Sequence, residues 1–430
     1  MQRWTRAALS GAAVVGLAAG LLAVGVAAGA PPPSGSDSTA VKRVDDITRL
    51  QADLVRVPGN FRAWSELGFA YLTRARLTAD PALYGKAEGA FAKALALRPT
   101  DNDTALTGMA ALAAARHDFA EALALTDKSL AVNDFSPTTY AVRSDALVEL
   151  GRYDDARVAV QRLLDLQPAG VDALARASYS FELRGQVEPA SDLLQQAADA
   201  AQAPSDVAFA QYYLGEIAWN TGDVEAASAA YEAGLKADPE YLPLVTGRAK
   251  VLAGKGQVAA AAAEYRRVVE QLPLPEFLVA FGELLEADGQ QEAAEEQYAV
   301  LRATQQLFAA NGQDVDTELA LFEADHGTPA DAVASAEKAY AKRPDAIFTQ
   351  DAYAWALHSA GRSVEALPIA RAAVRLGFAS PAFYYRLGAI EAAAGDKAAA
   401  RKSLQKALSL NPAFSPLHAP RAKELLESLS

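Results

Sequence analysis

Four histidines carry most of the reactive chemistry that the sequence offers, because the chain has no cysteine. His326 stands beside Glu323 and Asp325, and an imidazole next to carboxylates could bind a divalent metal ion. The same stretch is also typical of the polar end of a helix before a glycine, and the sequence favours this second interpretation. His117 falls at a turn between helices and His418 lies near the C-terminus, where we expect both to be solvated. We therefore predict no metal site and no cofactor.

A second group of residues that could take part in a reaction is a stripe of three side chains. Asp351, Trp355 and His358 are spaced i, i+4 and i+7, which places them on one face of a helix. Ser359 follows His358 directly and points elsewhere, so the stripe does not predict a Ser–His–Asp arrangement. Glutamate is abundant along the chain, and no pair of carboxylates is set apart as the acid and base of a glycosidase. The sequence therefore predicts a protein that is not an enzyme.

The composition excludes several further classes of function. The 430 residues carry a formal net charge of −13, and their Lys and Arg residues do not gather into a basic stripe. Nucleic-acid binding depends on cationic contacts to phosphates, so we predict no nucleic-acid partner. Without cysteine the chain forms no disulfide and no thiolate zinc site. Alanine supplies much of the 51% hydrophobic content, and this favours helices.

The first 40 residues differ from the rest of the chain. Arg3 and Arg6 precede residues 7–30, which are apolar apart from one serine, and a Pro/Ser/Gly linker follows. This arrangement is typical of a signal peptide, with small residues near Ala28 at the cleavage site. It is equally typical of an uncleaved single-pass anchor, because 24 residues are long enough to cross a bilayer. Both interpretations predict export, either to the outer face of the cytoplasmic membrane or to the periplasm or exterior.

Small and large residues recur in a fixed order along the chain, and the clearest copy covers residues 384–412. There Leu387 and Gly388 are followed by Ala400 and Pro412. The same spacing occurs in WSELGFAY, which starts at residue 64, and it recurs along most of the chain. The pattern resembles the tetratricopeptide repeat, a helix–turn–helix unit of about 34 residues.

This resemblance implies an all-α fold, a right-handed superhelical solenoid of stacked helix pairs. Small residues let the two helices of a unit approach each other, and a proline at the end of the unit stops the second helix. The chain then divides into a signal peptide or anchor (1–30), a linker (31–40), an N-terminal helix on the first unit (41–57), ten repeat units (58–412) and a C-terminal capping helix (413–430).

In the family that the chain resembles, the first helices of the units form a concave wall that binds partners. The resemblance assigns to this wall Tyr179, Glu182, Phe209, Tyr212, Glu216, Trp219, Asn220, Glu283, Glu286, Asp351, Trp355 and His358. It also assigns Asp145, Glu149, Lys250, Phe348 and Tyr385 to the same wall. Aromatic and acidic side chains predominate, which suits an extended peptide containing Lys or Arg, or a sugar chain. The alternative is that the charged wall residues are simply solvated and the rings fill gaps.

Two functions fit this wall. The first is a scaffold or adaptor of the cell envelope that binds a protein or peptide partner. A basic partner is one option. The second is an extracytoplasmic receptor for a glycan, a peptide or another small ligand. The membrane would be a further partner if residues 7–30 stay uncleaved. The sequence leaves the partner, the cleavage and the oligomeric state open.

Overall fold

The computed structural model describes residues 39–429, and these residues form 22 α-helices and no β-strand. Helix α1 (Thr39–Arg56) precedes ten helix pairs, and α22 (His418–Ser428) follows them. The first helices of the pairs are α2 (Phe61–Thr78), α4 (Asp103–Ala115), α6 (Pro137–Glu149), α8 (Val171–Glu182), α10 (Pro204–Asn220), α12 (Leu242–Gly254), α14 (Pro275–Ala287), α16 (Asp316–His326), α18 (Ile347–Ser359) and α20 (Pro381–Ala393). The second helices are α3 (Ala82–Leu97), α5 (Phe119–Val132), α7 (Tyr153–Leu166), α9 (Val187–Ala200), α11 (Val224–Ala237), α13 (Val258–Gln271), α15 (Gln291–Ala310), α17 (Pro329–Lys342), α19 (Ser363–Ala373) and α21 (Lys397–Leu410).

Each helix packs on the other helix of its pair and on the next helix along the chain, while α1 packs on α2 and α22 packs on α20 and α21. The predicted fold class, an all-α solenoid of stacked helix pairs, is confirmed. The helix bounds differ slightly from the predicted segments. Helix α1 already includes residues 39 and 40 of the predicted linker, and α22 starts at His418 because a turn occupies residues 412–417.

Short polar residues and turn residues set the ends of the helices. Asn102 caps α4 by accepting a hydrogen bond from the backbone N–H of Ala105 at 3.3 Å, which satisfies one of the free donors of the first turn. Gly151 lies between the two helices of its pair with a φ of +75°, a conformation that glycine adopts without strain. His117 occupies the corresponding turn between α4 and α5 with a φ of +61°.

A ring on the second helix packs directly against the backbone of two first helices. Tyr231 on α11 is fully buried between Gly215 on α10 and Gly247 on α12. A Cβ atom at Gly215 would lie 2.2 Å from this ring, and one at Gly247 would lie 2.5 Å from it. Phe91 is placed in the same way between Gly68 and Gly108. These contacts explain why glycine and a large aromatic alternate in the repeat, since any larger residue would push the helices apart.

Residues almost half the chain apart also meet, because the solenoid coils far enough for its later pairs to touch its earlier ones. Asn411 donates a hydrogen bond from Nδ2 to the carbonyl oxygen of Trp219 at 2.7 Å. Arg343 Nη1 lies 2.9 Å from Glu149 Oε2, and His117 Nδ1 lies 2.7 Å from the carbonyl oxygen of Asp314. We call these contacts the inter-turn contacts.

Within residues 39–429, no helix combines the length and the apolar character that crossing a membrane would require. The predicted signal peptide or anchor, residues 1–30, lies outside the described residues.

Candidate functional site

None of the twelve predicted wall residues is fully exposed. Five are buried, namely Tyr179, Glu182, Trp219, Asp351 and Trp355. Seven are half-buried, namely Phe209, Tyr212, Glu216, Asn220, Glu283, Glu286 and His358. The structure brings them together in two clusters, one on α8 and α10 and one around α14 and α18. Trp219 lies apart from both, in the core against α12, where its ring would meet a Cβ at Gly254.

Acid–base pairs between consecutive first helices account for several of these side chains. Asp145 on α6 accepts two hydrogen bonds from Arg176 on α8, at 2.9 and 2.8 Å, and both side chains are buried. Burial raises the pKa of Asp145 to about 6, although the charge of Arg176 acts in the opposite direction. Asp351 on α18 forms the same kind of pair with Arg386 on α20, with Arg386 Nε 3.0 Å from Asp351 Oδ1.

The third pair joins α10 and α12. Glu216 binds Lys250 Nζ with both oxygens, at 2.5 and 2.6 Å, and also accepts a hydrogen bond from the Tyr231 hydroxyl at 2.8 Å. Asp145–Arg176, Glu216–Lys250 and Asp351–Arg386 therefore repeat one arrangement at a spacing of 31, 34 and 35 residues. We call these three the interior pairs. Arg176 and Arg386 were not predicted, but their spacing from an acidic wall residue by about one repeat is a signal that the sequence contains.

Glu182 on α8 has no such partner. It is only 8% exposed, and it forms no ion pair with any residue in the described part of the chain. The acid one repeat further on is Glu216, which already binds Lys250. Burial raises the pKa of Glu182 to about 8, and the nearby charge of Glu216 acts in the same direction. Glu182 is thus a buried carboxyl without the cationic partner that Asp145, Glu216 and Asp351 have in the interior pairs.

Two tyrosines, Tyr179 and Tyr213, lie near this carboxyl, and further rings pack against Tyr213. Tyr179 lies one turn before Glu182 on α8, and Tyr213 packs edge-on against Phe209 and Tyr212 with ring centroids 5.0 and 5.2 Å apart. The hydroxyls of Tyr179 and Tyr213 are buried and have no hydrogen-bond partner among the described residues. Burial, with the nearby carboxylates, holds the pKa of both phenols well above the usual value. We call Tyr179, Glu182, Phe209, Tyr212 and Tyr213 the Glu182 cluster.

All three side chains of the predicted stripe on α18 bind other residues of the chain. Trp355 donates a hydrogen bond from Nε1 to Asp325 Oδ1 at 3.0 Å, and its ring stacks on His358 with centroids 4.9 Å apart. His358 Nδ1 lies 2.9 Å from the hydroxyl of Ser363, at the start of α19, and burial lowers the pKa of His358. The hydroxyl that reaches the imidazole is that of Ser363 and not that of the neighbouring Ser359, because the turn between α18 and α19 brings Ser363 back to His358.

Glu283 and Glu286 on α14 face two histidines. His326 lies between them, with Nε2 3.7 Å from Glu283 Oε1 and Nδ1 3.3 Å from Glu286 Oε2. His418 is buried, with Nε2 3.5 Å from Asp325 Oδ1. The expectation that His418 is solvated is wrong, because the chain after α21 folds the start of α22 back towards α14 and α16. His117 is likewise only partly accessible, since it takes part in an inter-turn contact.

The fold defines an all-α repeat protein built from consecutive helix pairs. Sequence models described as tetratricopeptide repeat match residues 210–241 and residues 381–414. The chain is a tetratricopeptide repeat protein. Repeats of this kind support a role as a protein-interaction scaffold.

Solved structures of other repeat proteins are similar to parts or most of the chain. One is a thermophilic TPR protein of Thermus thermophilus, with 21% identity over 45% of this chain and 98% of that one and a TM-score of 0.40. Another is a tetratricopeptide repeat protein of Parabacteroides merdae, with 17% identity over 58% and 98% of the two chains and a TM-score of 0.42. The APC/C hetero-tetramer Cut9–Hcn1 matches with 13% identity over 90% and 95% and a TM-score of 0.40. A comparison with curated protein sequences finds no match.

Proposed function

We propose that this chain is a non-enzymatic scaffold that binds an extended segment of a partner protein and receives a Lys or Arg side chain of that segment in the Glu182 cluster. The observation that carries the proposal is the buried carboxyl of Glu182, which lacks an ion-pair partner among the described residues. A buried ionisable group is costly unless a charge or hydrogen bonds compensate it. A cation from a partner would give Glu182 the kind of ion pair that Asp145, Glu216 and Asp351 form within the chain.

The surroundings of Glu182 favour a cationic side chain over a neutral ligand. Rings such as Tyr179 and Tyr212 attract a cation through their faces, and this attraction grows where water is excluded. The free hydroxyls of Tyr179 and Tyr213 can accept hydrogen bonds from an ammonium or guanidinium group. A sugar chain would supply hydroxyls but no charge, so it would not stabilise the ionised form of Glu182 as a Lys or Arg side chain would. For this reason we favour a basic protein segment over the glycan receptor.

The Glu216–Lys250 ion pair offers a route by which a cationic side chain of the partner can reach the Glu182 cluster. Glu216 beside it is 20% exposed and binds Lys250, which is 26% exposed, so this pair borders the solvent-accessible part of the interior. An entering Lys or Arg can interact first with Glu216 and then with the more deeply buried Glu182. The net charge of −13 adds a long-range attraction for a basic segment.

We further propose that the scaffold works in the cell envelope, outside the cytoplasm. The support is the sequence of residues 1–40, in which Arg3 and Arg6 precede an apolar run and a Pro/Ser/Gly linker. Mass spectrometry of the native protein, after separation of membrane and soluble fractions, tests this directly. A mature chain that starts near residue 29 supports a signal peptide, and an intact chain in the membrane fraction supports an anchor. An intact chain in the cytosol would rule out both.

The binding proposal is tested with a library of extended peptides that share one fixed central residue and vary elsewhere. We expect the full chain to prefer Lys and Arg at the fixed position over norleucine and citrulline, which have similar shapes and no charge. Glu182→Gln should weaken binding of the selected Lys peptides at least tenfold, since a desolvated charge pair contributes more than a surface pair. The matched control is Glu188→Gln, an exposed glutamate at the start of α9. Equal binding by the wild type and Glu182→Gln, or no preference for Lys and Arg, would refute the proposal.

A further inference from the structure

Three metal-ligand side chains from different helices meet at the C-terminal end of the coil. Glu283 belongs to α14, Asp325 to α16 and His418 to α22. Each offers one ligand atom, and these atoms all lie within 4.8 Å of one another. The three are far apart in sequence, so only the fold brings them together. They lie outside the Glu182 cluster.

The imidazole of His418 is the independent sign that this group has a ligand. Its side chain is 8% exposed, and its Nε2 atom has no hydrogen-bond partner among the described residues. This atom lies 3.5 Å from Asp325 Oδ1, beyond normal N–H···O geometry, and it faces the two carboxylates. Buried polar atoms without a partner are rare in folded proteins and ask for an explanation. An imidazole nitrogen that lies beside two carboxylates becomes a metal ligand when the ion displaces its proton.

The balance of charge around the three side chains also favours a cation. Glu283, Glu286 and Asp325 bring three carboxylates to this region. Arg421 reaches only Glu286, at 3.6 Å, and it is 47% exposed. Arg386, the other nearby guanidinium, is engaged by Asp351 in one of the interior pairs. His326 lies 3.7 Å from Glu283 and 3.3 Å from Glu286, and His418 lies 3.5 Å from Asp325. A dication placed between Glu283 and Asp325 would add to the compensation that these two imidazoles provide.

Further contacts hold the three candidate ligands in orientation. Trp355 Nε1 donates to Asp325 Oδ1 at 3.0 Å, and the Ser415 hydroxyl lies 3.5 Å from Glu283 Oε2. The same hydroxyl oxygen accepts a hydrogen bond from the backbone N–H of His418 at 3.1 Å. The ring of His418 stacks on Tyr385 with centroids 5.3 Å apart. Such supporting contacts are typical of metal sites, where they fix the direction of each ligand.

We propose that Glu283, Asp325 and His418 bind one divalent first-row transition-metal ion, with His418 Nε2 and one oxygen of each carboxylate as ligands. Zn²⁺ takes nitrogen and oxygen ligands at about 2.0–2.2 Å, which separates tetrahedral ligand atoms by about 3.4 Å. The distance between His418 Nε2 and Asp325 Oδ1 already matches this separation. Small rotations of the two carboxylates bring the remaining distances into range. An imidazole with two carboxylates suits Zn²⁺ or Mn²⁺ better than Mg²⁺ or Ca²⁺, which prefer oxygen ligands alone.

The ion would clamp the C-terminal helix against the coil. Because α22 contributes His418 and α14 and α16 contribute the carboxylates, the bound ion would join three segments that are otherwise joined by weaker contacts, such as Arg421–Glu286 and Ser415–Glu283. Binding to the folded chain alone raises its stability in proportion to the logarithm of the metal concentration. The clamp is therefore measurable as a rise in the unfolding temperature.

The test uses the full chain without a histidine tag, after treatment with a chelator. Calorimetric titration with Zn²⁺, and separately with Mn²⁺, should show one ion per chain, and the ion that binds should raise the unfolding temperature. His418→Gln and Asp325→Asn should each weaken binding at least tenfold. The matched control His117→Gln removes a histidine from an inter-turn contact at the other side of the coil and should bind normally.

A spectroscopic measurement on the wild type covers the case in which a variant does not fold. Co²⁺ bound by one nitrogen and oxygen ligands should give visible d–d absorption bands, and Zn²⁺ should displace them in a one-to-one titration. Absence of saturable binding of both Zn²⁺ and Mn²⁺ at millimolar concentration would overturn the proposal. Binding that His418→Gln and Asp325→Asn leave unchanged would overturn it as well, because the ion would then lie elsewhere.

Discussion

Tyr153 accepts a hydrogen bond at its hydroxyl oxygen from the backbone N–H of Ile347, at 2.9 Å, although 194 residues separate the two in sequence. Tyr153 starts α7 and Ile347 starts α18. The contact satisfies a buried N–H at the first turn of α18, a donor that has no partner within its own helix. Next to it, Arg343 binds both Glu149 and the hydroxyl of Thr317. Hydrogen bonds and a buried ion pair therefore join the two turns of the coil.

We predict that Tyr153→Phe destabilises the protein by about 1–3 kcal/mol, because it leaves the N–H of Ile347 buried without a partner. The change keeps the ring and removes only the oxygen, so the core around α7 stays filled. Urea denaturation followed by circular dichroism measures the loss. Its control is Tyr384→Phe, since the half-buried hydroxyl of Tyr384 has no hydrogen bond among the described residues. If both variants lose the same amount, the inter-turn hydrogen bond contributes nothing specific.

A second prediction concerns the glycines that pack against the buried rings. Gly215→Ala would place a methyl group 2.2 Å from the ring of Tyr231, and the ring is itself fully buried. We expect a loss of about 1–3 kcal/mol, the usual cost of overpacking a core, seen as a lower urea midpoint.

The control for this change is Gly89→Ala on α3. A Cβ at Gly89 meets no atom within 4 Å, and the backbone there is helical. Alanine at such a site should raise the stability by about 0.5–1 kcal/mol, since alanine favours the helix. The two substitutions are chemically identical and should shift the urea midpoint in opposite directions. A gain from Gly215→Ala would contradict the packing that we describe.

The repeat pattern was sufficient to predict the fold class because its information is local. Gly215 and Tyr231 lie within one unit, and their sizes alone require that one helix cross the other at that point. The same holds for Phe91 and Gly68. Each unit contacts mainly its neighbours, so a correct description of one unit carries over to the rest.

The clusters inside the coil could not be predicted in the same way. The partner of Glu149 is Arg343, and their meeting depends on the sum of small rotations between all the units that separate them. No single unit encodes that sum. Glu149, one of the residues that the resemblance assigns to the concave wall, is for this reason engaged in an inter-turn contact. The burial of His418 could not be predicted, because the turn over residues 412–417 that precedes it has no counterpart in the repeat.

Removal of one member of an interior pair makes a third prediction. Arg176→Met would leave Asp145 buried without its guanidinium partner, and such a loss costs about 3–5 kcal/mol. The double variant Arg176→Met with Asp145→Leu removes both charges and should recover most of this loss. Chemical denaturation of the wild type, both single variants and the double variant gives the coupling between the two side chains. If the double variant loses the sum of the two single losses, the pair is not coupled.

The raised pKa of Glu182 makes a fourth prediction, which concerns pH. Burial and Glu216 raise this pKa from an ordinary value of 4.5 to about 8. Between these two values the folded chain keeps a proton that the unfolded chain releases, so the contribution of Glu182 to stability falls as the pH rises. Glu182→Gln mimics the protonated side chain at every pH. The variant should therefore match the wild type near pH 4 and become more stable towards pH 8, by a few kcal/mol, since one pKa unit corresponds to about 1.4 kcal/mol.

The difference in unfolding free energy between the wild type and Glu182→Gln, measured at intervals from about pH 4 to about pH 9, isolates this carboxyl from other titrating groups. Asp145 also titrates in the window, with a pKa of about 6, but it is present in both chains and cancels from the difference. Glu188→Gln should show a constant difference near zero, because Glu188 is exposed. A flat profile for Glu182→Gln would mean that Glu182 is ionised and compensated at neutral pH, and would remove the electrostatic reason for a cation at this position.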